Sequence, residues 1–232
     1  MAPIRFDIMT LFPDLVDTVL SESIIGRARK AGLLDIRTHN IRDYSKDKFR
    51  RVDDTPYGGG KGMLMKPDPI CDCFDAITEG LEAKPYMIYM SPKGTVFTQA
   101  KAKELSQKEH IVILCGHYEG VDQRAIDEIV DEEISIGDYV LTGGEIPATV
   151  LVDAVARLCD GVLADPECYE KESHSEPLLE YPQYTRPYEF RGKCVPDVLI
   201  SGHHENIDKW RREMALKLTE EKRPDLLLKS KE

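Results

Sequence analysis

Residues 115–158 read CGHYEGVDQRAIDEIVDEEISIGDYVLTGGEIPATVLVDAVARL, and this stretch decides how the chain is understood. Two glycine-bearing turns, Cys115-Gly116-His117-Tyr118-Glu119-Gly120 and Ser135-Ile136-Gly137-Asp138-Tyr139, are followed by Leu141-Thr142-Gly143-Gly144-Glu145, which opens a helix reaching Leu158. Glycines in such places let a backbone take positive φ or approach a ligand closely. The free N–H groups at a loop–helix junction suit a polar ligand. Neither turn is a G-x-G-x-x-G or a G-x-x-x-x-G-K-[ST], so neither phosphate fingerprint applies. The physics points to a small-molecule site, while the same glycines would also serve ordinary tight turns.

Outward from this stretch, strands and helices alternate. Ile111–Leu114 is a continuous apolar run, hence a buried strand. Upstream, Tyr86–Met90 reads as a strand, Ser91-Pro92-Lys93-Gly94 as a turn, and Thr98 as the cap of a helix running to Gln107. Nearer the start, 4–9 alternates as a strand and Pro13 opens a helix. Glu22–Ala31 is a second helix stopped by Gly32, and Leu33–Thr38 is a short strand. Residues 40–66 form a long loop carrying Gly58-Gly59-Gly60, and Pro67–Glu79 is helical. This alternation predicts an α/β fold with a parallel sheet. Pattern alone predicts a Rossmann-like, unknotted arrangement. The texture changes after Cys159. Residues 161–176 are polar and mostly acidic, with Glu167, Glu170, Lys171 and Glu172 among them, and read as a linker. Residues 177–232, with an apolar stretch at Val198–Ile200 and a basic amphipathic helix over 205–219, form a small, mainly helical second domain after a first domain of 1–160.

The 232 residues suit one or two globular domains. No apolar run approaches the roughly 20 residues a membrane helix needs, and the start MAPIRFDIMTLFPD has no signal-peptide pattern. A cytoplasmic protein without membrane partners is expected. The six cysteines (71, 73, 115, 159, 168, 194) fit reduced thiols, and the spacing of Cys71 and Cys73 fits no common zinc pattern. Net charge is −11, which by itself speaks against nucleic acid. Its distribution does not: 177–232 holds 11 Lys/Arg and 10 Asp/Glu. Within the acidic remainder, Arg27 to Arg51 carries nine basic residues against Asp35, Asp43 and Asp47. Such a patch either tracks phosphates or is a solvated face.

Seven sequence words in order, PYGGGKGMLMKP (56–67), SPKGTVFTQ (91–99), CGHYEG (115–120), SIGDYVLTGGEIPA (135–148), DAVARL (153–158), LLEYPQYTRP (178–187) and SGHHENIDKWRR (201–212), closely resemble the bacterial tRNA (guanine-N1)-methyltransferases, the TrmD family of the SPOUT superfamily. The resemblance covers nearly the whole chain. It implies a SPOUT-type parallel sheet with a deep trefoil knot and a mainly helical C-terminal domain. It implies S-adenosyl-L-methionine held by Met90, Ser91, Pro92, Gly116, Tyr118, Glu119, Ser135, Ile136, Gly137, Tyr139, Leu141, Gly143, Gly144 and Pro147. Gly58, Gly59 and Gly60 match the loop that accommodates tRNA and its target base. The family's homodimer, with composite sites joining one subunit's knot to the other's linker and C-terminal domain, is implied as well. So is methylation of the guanosine at position 37, beside the anticodon, which maintains the reading frame. The family's magnesium requirement comes without a motif that places the ion.

Guanine N1 carries a proton and is a poor nucleophile until that proton leaves. A general base is required, and a cation near O6 would stabilise the charge that develops. Arg157 and Glu172 match the family's catalytic Arg and Asp in register, and Glu180 matches a second acidic position. Here the usual Asp is Glu172, one methylene longer. His117 and Lys61 stand where many relatives have Arg and Pro and receive no role. His174, His203 and His204 form no recognisable metal set. A superfamily member acting on a ribose hydroxyl would lack the LLEYPQYTRP region. A noncatalytic binding protein would not need Arg157 with Glu172.

Overall fold

Strand β1 (Ile4–Thr10) forms the spine of the molecule because its alternate residues feed two cores. Phe6 and Ile8 point into one and Met9 into the other. A computed structural model describes residues 3–165, 169 and 172–229; Cys168 and the linker residues Glu167, Glu170 and Lys171 lie outside them. It divides into two compact units, Met1–Ala164 and Asp165–Glu232.

In the first unit, β1 pairs in parallel with β2 (Leu34–Asn40) on one side and β6 (His110–Cys115) on the other. Strand β5 (Tyr86–Val96) lies beyond β6 and pairs at its outer edge with β7 (Glu132–Ser135), so the order is β2-β1-β6-β5-β7, all parallel. Helices α1 (Pro13–Leu20), α2 (Ser23–Lys30), α4 (Gln99–Leu105) and α6 (Glu145–Ala156) bury Val16, Leu20, Ile25, Ala102 and Val152 against one face. Helices α3 (Pro67–Thr78) and α5 (Gln123–Ile129) bury Ile70, Phe74, Ala125 and Ile129 against the other. Covering both faces explains the continuous apolar runs of β5 and β6. Thr98 caps α4 as predicted, its hydroxyl accepting from Lys101 N at 3.3 Å.

Several expectations need correction. Ser91–Gly94 does not end β5. Ile134 pairs with both Met90 and Thr95, so residues 91–94 are a bulge within one strand. The stretch 40–66 is not a featureless loop. It contains a 3-10 turn, Ile41–Tyr44, and a short hairpin of β3 (Asp53–Asp54) with β4 (Leu64–Met65) that carries Gly58–Gly60 at its tip. Helix α5 and strand β7 have no counterpart in the sequence reading. The four residues of EEIS give too few periods to register, while QRAIDEI is marked only by its cap, Asp122, whose side chain accepts from Arg124 N at 3.0 Å.

In the second unit, residues 172–180 are tightly turned. His174 N donates to Leu178 O at 3.1 Å, and Glu180 N to Ser173 Oγ at 2.9 Å. A hairpin of β8 (Glu189–Phe190) and β9 (Lys193–Cys194) follows, then a 3-10 turn at Asp197–Ile200. Helices α7 (His204–Lys222) and α8 (Pro224–Lys229) complete it. The hairpin is an addition to the predicted helical content. Thr219, fully buried on α7, donates to Ala215 O and accepts from Leu179 N at 2.8 Å, tying the turned segment to the helix. The described cysteines, 71, 73, 115, 159 and 194, are all free.

One buried charge stands out in the sheet. The Asp7 side chain is fully buried, yet His39 Nε2 meets its Oδ1 and both His110 Nε2 and Arg5 Nε meet its Oδ2, each at 2.6 Å. Burial would raise its pKa, but the hydrogen bonds from His110, His39 and Arg5 outweigh burial and hold the carboxyl well below the usual range. A folded-state pKa below the unfolded one means stability that is fully present above about pH 4 and lost as pH falls through the acid range. Asp7→Asn is expected to cost about 3 kcal/mol at neutral pH, the low end for a broken buried pair because all three partners keep some solvent contact. Denaturant titrations at pH 7 and pH 3 check this: the gap between variant and wild type narrows at the lower pH.

Candidate functional site

Ligands in open parallel sheets bind beyond the carboxyl ends of the strands, where successive connections diverge. Here the chain leaves β6, passes over β5 and enters β7, so the segments after β5, β6 and β7 converge at that edge. They enclose a cleft of about 280 Å³. The β5 bulge contributes Met90, Ser91 and Pro92, the β6 turn Gly116, Tyr118 and Glu119, and the β7 segment Ser135, Ile136, Tyr139 and Leu141. Gly143, Gly144 and Pro147 close it at the start of α6. Of the residues expected here, Gly137 alone does not line the cleft. It stands behind Tyr139 at φ 148°, a Cβ there would lie 2.6 Å from the tyrosine ring, and Ser135 Oγ donates to its carbonyl at 2.9 Å.

The helix start is welded to the β6 turn. Gly144 N donates to Gly116 O at 2.8 Å, and a Cβ on Gly144 would lie 2.7 Å from Cys115 Cα. Gly143 and Gly144 therefore need their hydrogen for lack of room, not for positive φ, which corrects the expectation drawn from turn geometry. A Cβ on Gly143 would press on the Glu145 carboxylate and on His117 Nδ1. Glu145 is buried at the first turn of α6, where the helix dipole favours a carboxylate, and accepts from Thr10 Oγ1 at 2.9 Å. Burial, with Glu145 nearby, drives the Cys115 thiol well above its ordinary range, so it packs as a neutral group.

Sequence reasoning missed ten lining residues: Leu64, Tyr89, Lys93, His117, Gly120, Val121, Ile126, Ile134, Val140 and Thr142. Apart from Leu64, Val121 and Ile126 they are chain neighbours of residues it did select, and adjacency was the available signal. His117 meets Phe12 at a tilt and Tyr118 edge-on, with ring centroids 5.1 and 4.9 Å away, and its buried Nδ1 has no hydrogen-bond partner among the described residues. Tyr118, at φ 60°, accepts from Arg42 Nη2 at 3.3 Å, which brings the basic segment to the cleft. That segment is less cationic than its composition. Arg29 pairs with Asp17, Arg37 with Asp35, Lys46 with Asp72, Arg50 with Asp43 and Arg51 with Asp47.

The β3–β4 hairpin is anchored beside the cleft, with Met65 N donating to Gly120 O at 2.9 Å and Glu119 N to Met63 O at 3.0 Å. Gly58, Gly59 and Gly60, at φ 86°, 79° and 134°, stand exposed at its tip and do not line the cleft. Arg157 occupies the C-cap of α6 in the first unit. Glu172 and Glu180 share the turned segment of the second, where Ser175 N donates to Glu172 O at 3.1 Å and Gln183 Nε2 donates to Glu180 Oε1. No group of three His, Cys, Asp or Glu side chains among the described residues is arranged to hold a metal ion.

Residues 4–229 match the family model described as tRNA (Guanine-1)-methyltransferase TrmD. The chain belongs to this family. It is 60% identical over 225 residues to a tRNA (guanine-N(1)-)-methyltransferase of Ruminiclostridium cellulolyticum, covering 97% of each chain. A protein of the same name from Lachnospira eligens is 53% identical over 95% of this chain and 94% of its own. That of Clostridioides difficile is 52% identical over 98% and 99%. Within such a family the crowding at Gly144 gives a direct structural expectation. Gly144→Ala forces backbone apart at the α6 start and should cost about 1–3 kcal/mol. Thermal unfolding should show a midpoint lowered by several degrees.

Proposed function

We propose that this chain transfers a methyl group from S-adenosyl-L-methionine to N1 of the guanosine at tRNA position 37, and so supports reading-frame maintenance. Membership of the family over residues 4–229 carries the reading. The cleft fits the donor. Apolar Leu141 and Pro147 stand beside the crowded glycines 116, 143 and 144, where the backbone comes to the surface of the cleft. When bound, the donor supplies an electrophilic methyl group on its sulfonium. We assign its contacts to the fourteen residues that resemblance selected, with Gly137 acting through the shape of the Tyr139 turn.

The chain's own task is proton management. Glu172 serves as the base that removes the N1 proton, and Arg157 stabilises negative charge as it builds toward O6. Glu180 is the second carboxylate of the same turned segment. Gly58–Gly60 at the hairpin tip receive the target base. The first unit is then the donor-binding domain, 1–160, with the family's trefoil knot. The linker 161–176 and the tRNA-binding domain 177–232 follow. A homodimer is supported by Leu15 and Val19 on α1 and Ile146 and Val150 on the adjacent α6, which are exposed apolar side chains, and its composite sites are taken from the family. No helix among the described residues is long and apolar enough to cross a membrane, and we place the enzyme's work in the cytoplasm with tRNA. Magnesium keeps no assigned position.

Radiolabelled donor and an unmodified tRNA transcript test the activity: methylation is expected with guanosine at position 37 and should vanish when that position is adenosine. Persistent labelling would move the target elsewhere. Glu172→Gln keeps the shape and removes the basicity, so single-turnover rates should fall roughly 100- to 10,000-fold with donor affinity unchanged. Glu172→Asp should retain much of the rate. A dead Glu180→Gln beside an active Glu172→Gln would make Glu180 the base.

A further inference from the structure

We infer that the turn at residues 45–51 is a preformed stacking platform for an unpaired nucleotide of the tRNA, with Phe49 as its contact residue. The inference rests on the tRNA-modifying reading and adds a substrate contact to it. Phe49 is 69% exposed, yet the turn that presents it is firmly locked. Asp47 Oδ1 accepts from Phe49 N at 2.8 Å, Asp47 O from Arg50 N at 2.9 Å, and Ser45 Oγ donates to Arg51 O at 2.6 Å. A rigid turn that holds a large apolar ring in solvent loses little further entropy when something stacks on it.

Two cations attend the ring. Lys48 Nζ lies 4.8 Å and Arg51 Cζ 5.7 Å from its centroid. Their situations differ. Arg51 is held by Asp47 at 2.8 Å, whereas Lys48 makes no ion pair among the described residues. Lys48 can therefore leave the ring for a phosphate while Arg51 stays. An aromatic face with a free cation at its edge matches a nucleotide, which offers a π-face and a phosphate together. An acidic peptide would use the cation and leave the ring without a partner. The location agrees: three residues earlier Arg42 reaches the Tyr118 hydroxyl, and just after it Val52 O accepts from Lys66 N at 2.8 Å at the foot of the hairpin that carries Gly58–Gly60. The platform thus flanks the cleft on the first unit.

The test compares wild type with Phe49→Ala, Phe49→Tyr and Lys48→Ala, using tRNA transcript and S-adenosyl-L-methionine as separate ligands. Phe49→Ala should weaken tRNA binding roughly 5- to 150-fold and raise KM for tRNA, with donor affinity unchanged. Phe49→Tyr should restore both. Lys48→Ala should reduce the salt slope of tRNA binding by about one. Trp210 is the one tryptophan of the chain. In a Trp210→Phe background, therefore, Phe49→Trp is a lone reporter whose emission should be quenched by saturating tRNA and unaffected by the donor. Unchanged tRNA affinity in Phe49→Ala, or unquenched emission, in a protein whose wild type binds tRNA overturns the platform and leaves the activity standing. A change in self-association of Phe49→Ala without tRNA reassigns the face to a second copy of the chain. Failure of the wild type to bind tRNA at all overturns the activity itself.

Discussion

The close approach of Gly144 to the Cys115–Gly116 backbone is the contact on which the cleft depends. It joins the segment leaving β7 to the end of β6, and the 2.8 Å hydrogen bond from Gly144 N to Gly116 O holds the two together. Any side chain at Gly144 would sit inside the covalent frame of β6. Because that frame belongs to the central sheet, the cleft inherits its rigidity. The start of α6 is placed by the same contact, which sets Glu145 beneath Gly143, where Thr10 at the end of β1 reaches it. Three strand ends and one helix start are thereby held together by contacts within the chain itself. Such internal order spares a ligand the cost of organising its own site.

Beneath the cleft the sheet combines two apolar layers with one buried ionic group. The layers supply most of the driving force, since burial of Phe6, Ile8, Met87, Ile111 and Ile113 is complete. The Asp7 cluster plays a different part. Its three partners come from β1, β2 and β6, so an intact cluster requires these strands in their observed register. A one-residue slip of β2 or β6 against β1 would take His39 or His110 away and leave the buried carboxylate to Arg5 of its own strand, which is costly, whereas apolar side chains tolerate repacking. The order of the strands at the cleft edge therefore has an electrostatic as well as an apolar determinant.

The basic segment shows how composition misstates a surface. Nine cations against three acids over 27–51 suggest a strong positive field. Folding brings Asp17 and Asp72 to Arg29 and Lys46 from elsewhere in the chain, and Asp35, Asp43 and Asp47 pair locally. What survives is a small number of placed groups, with Arg42 at Tyr118 and Lys48 beside Phe49. Exposed pairs add little stability, but they decide which cations remain available to phosphate.

The sequence by itself determined the parallel α/β class, most strand and helix positions, and the glycine turns that frame the cleft. Each of these is written in local period, capping residue or contiguous word. Thr98 caps α4 because its hydroxyl meets the chain only three residues on. The glycine turns mark the cleft because their residues are neighbours along the chain. Tertiary structure alone decided what depends on distant partners. The 91–94 bulge exists because Ile134 on β7 pairs on both sides of it. Gly143 and Gly144 are crowded by His117, Glu145 and Cys115, not twisted into positive φ. Asp7 reads as an ordinary outward residue of an alternating strand until His39 and His110 arrive from 32 and 103 residues away. Strand β7 was illegible because a four-residue segment carries too few periods, whereas α5 is as long as α4 and is marked by Asp122 as α4 is by Thr98.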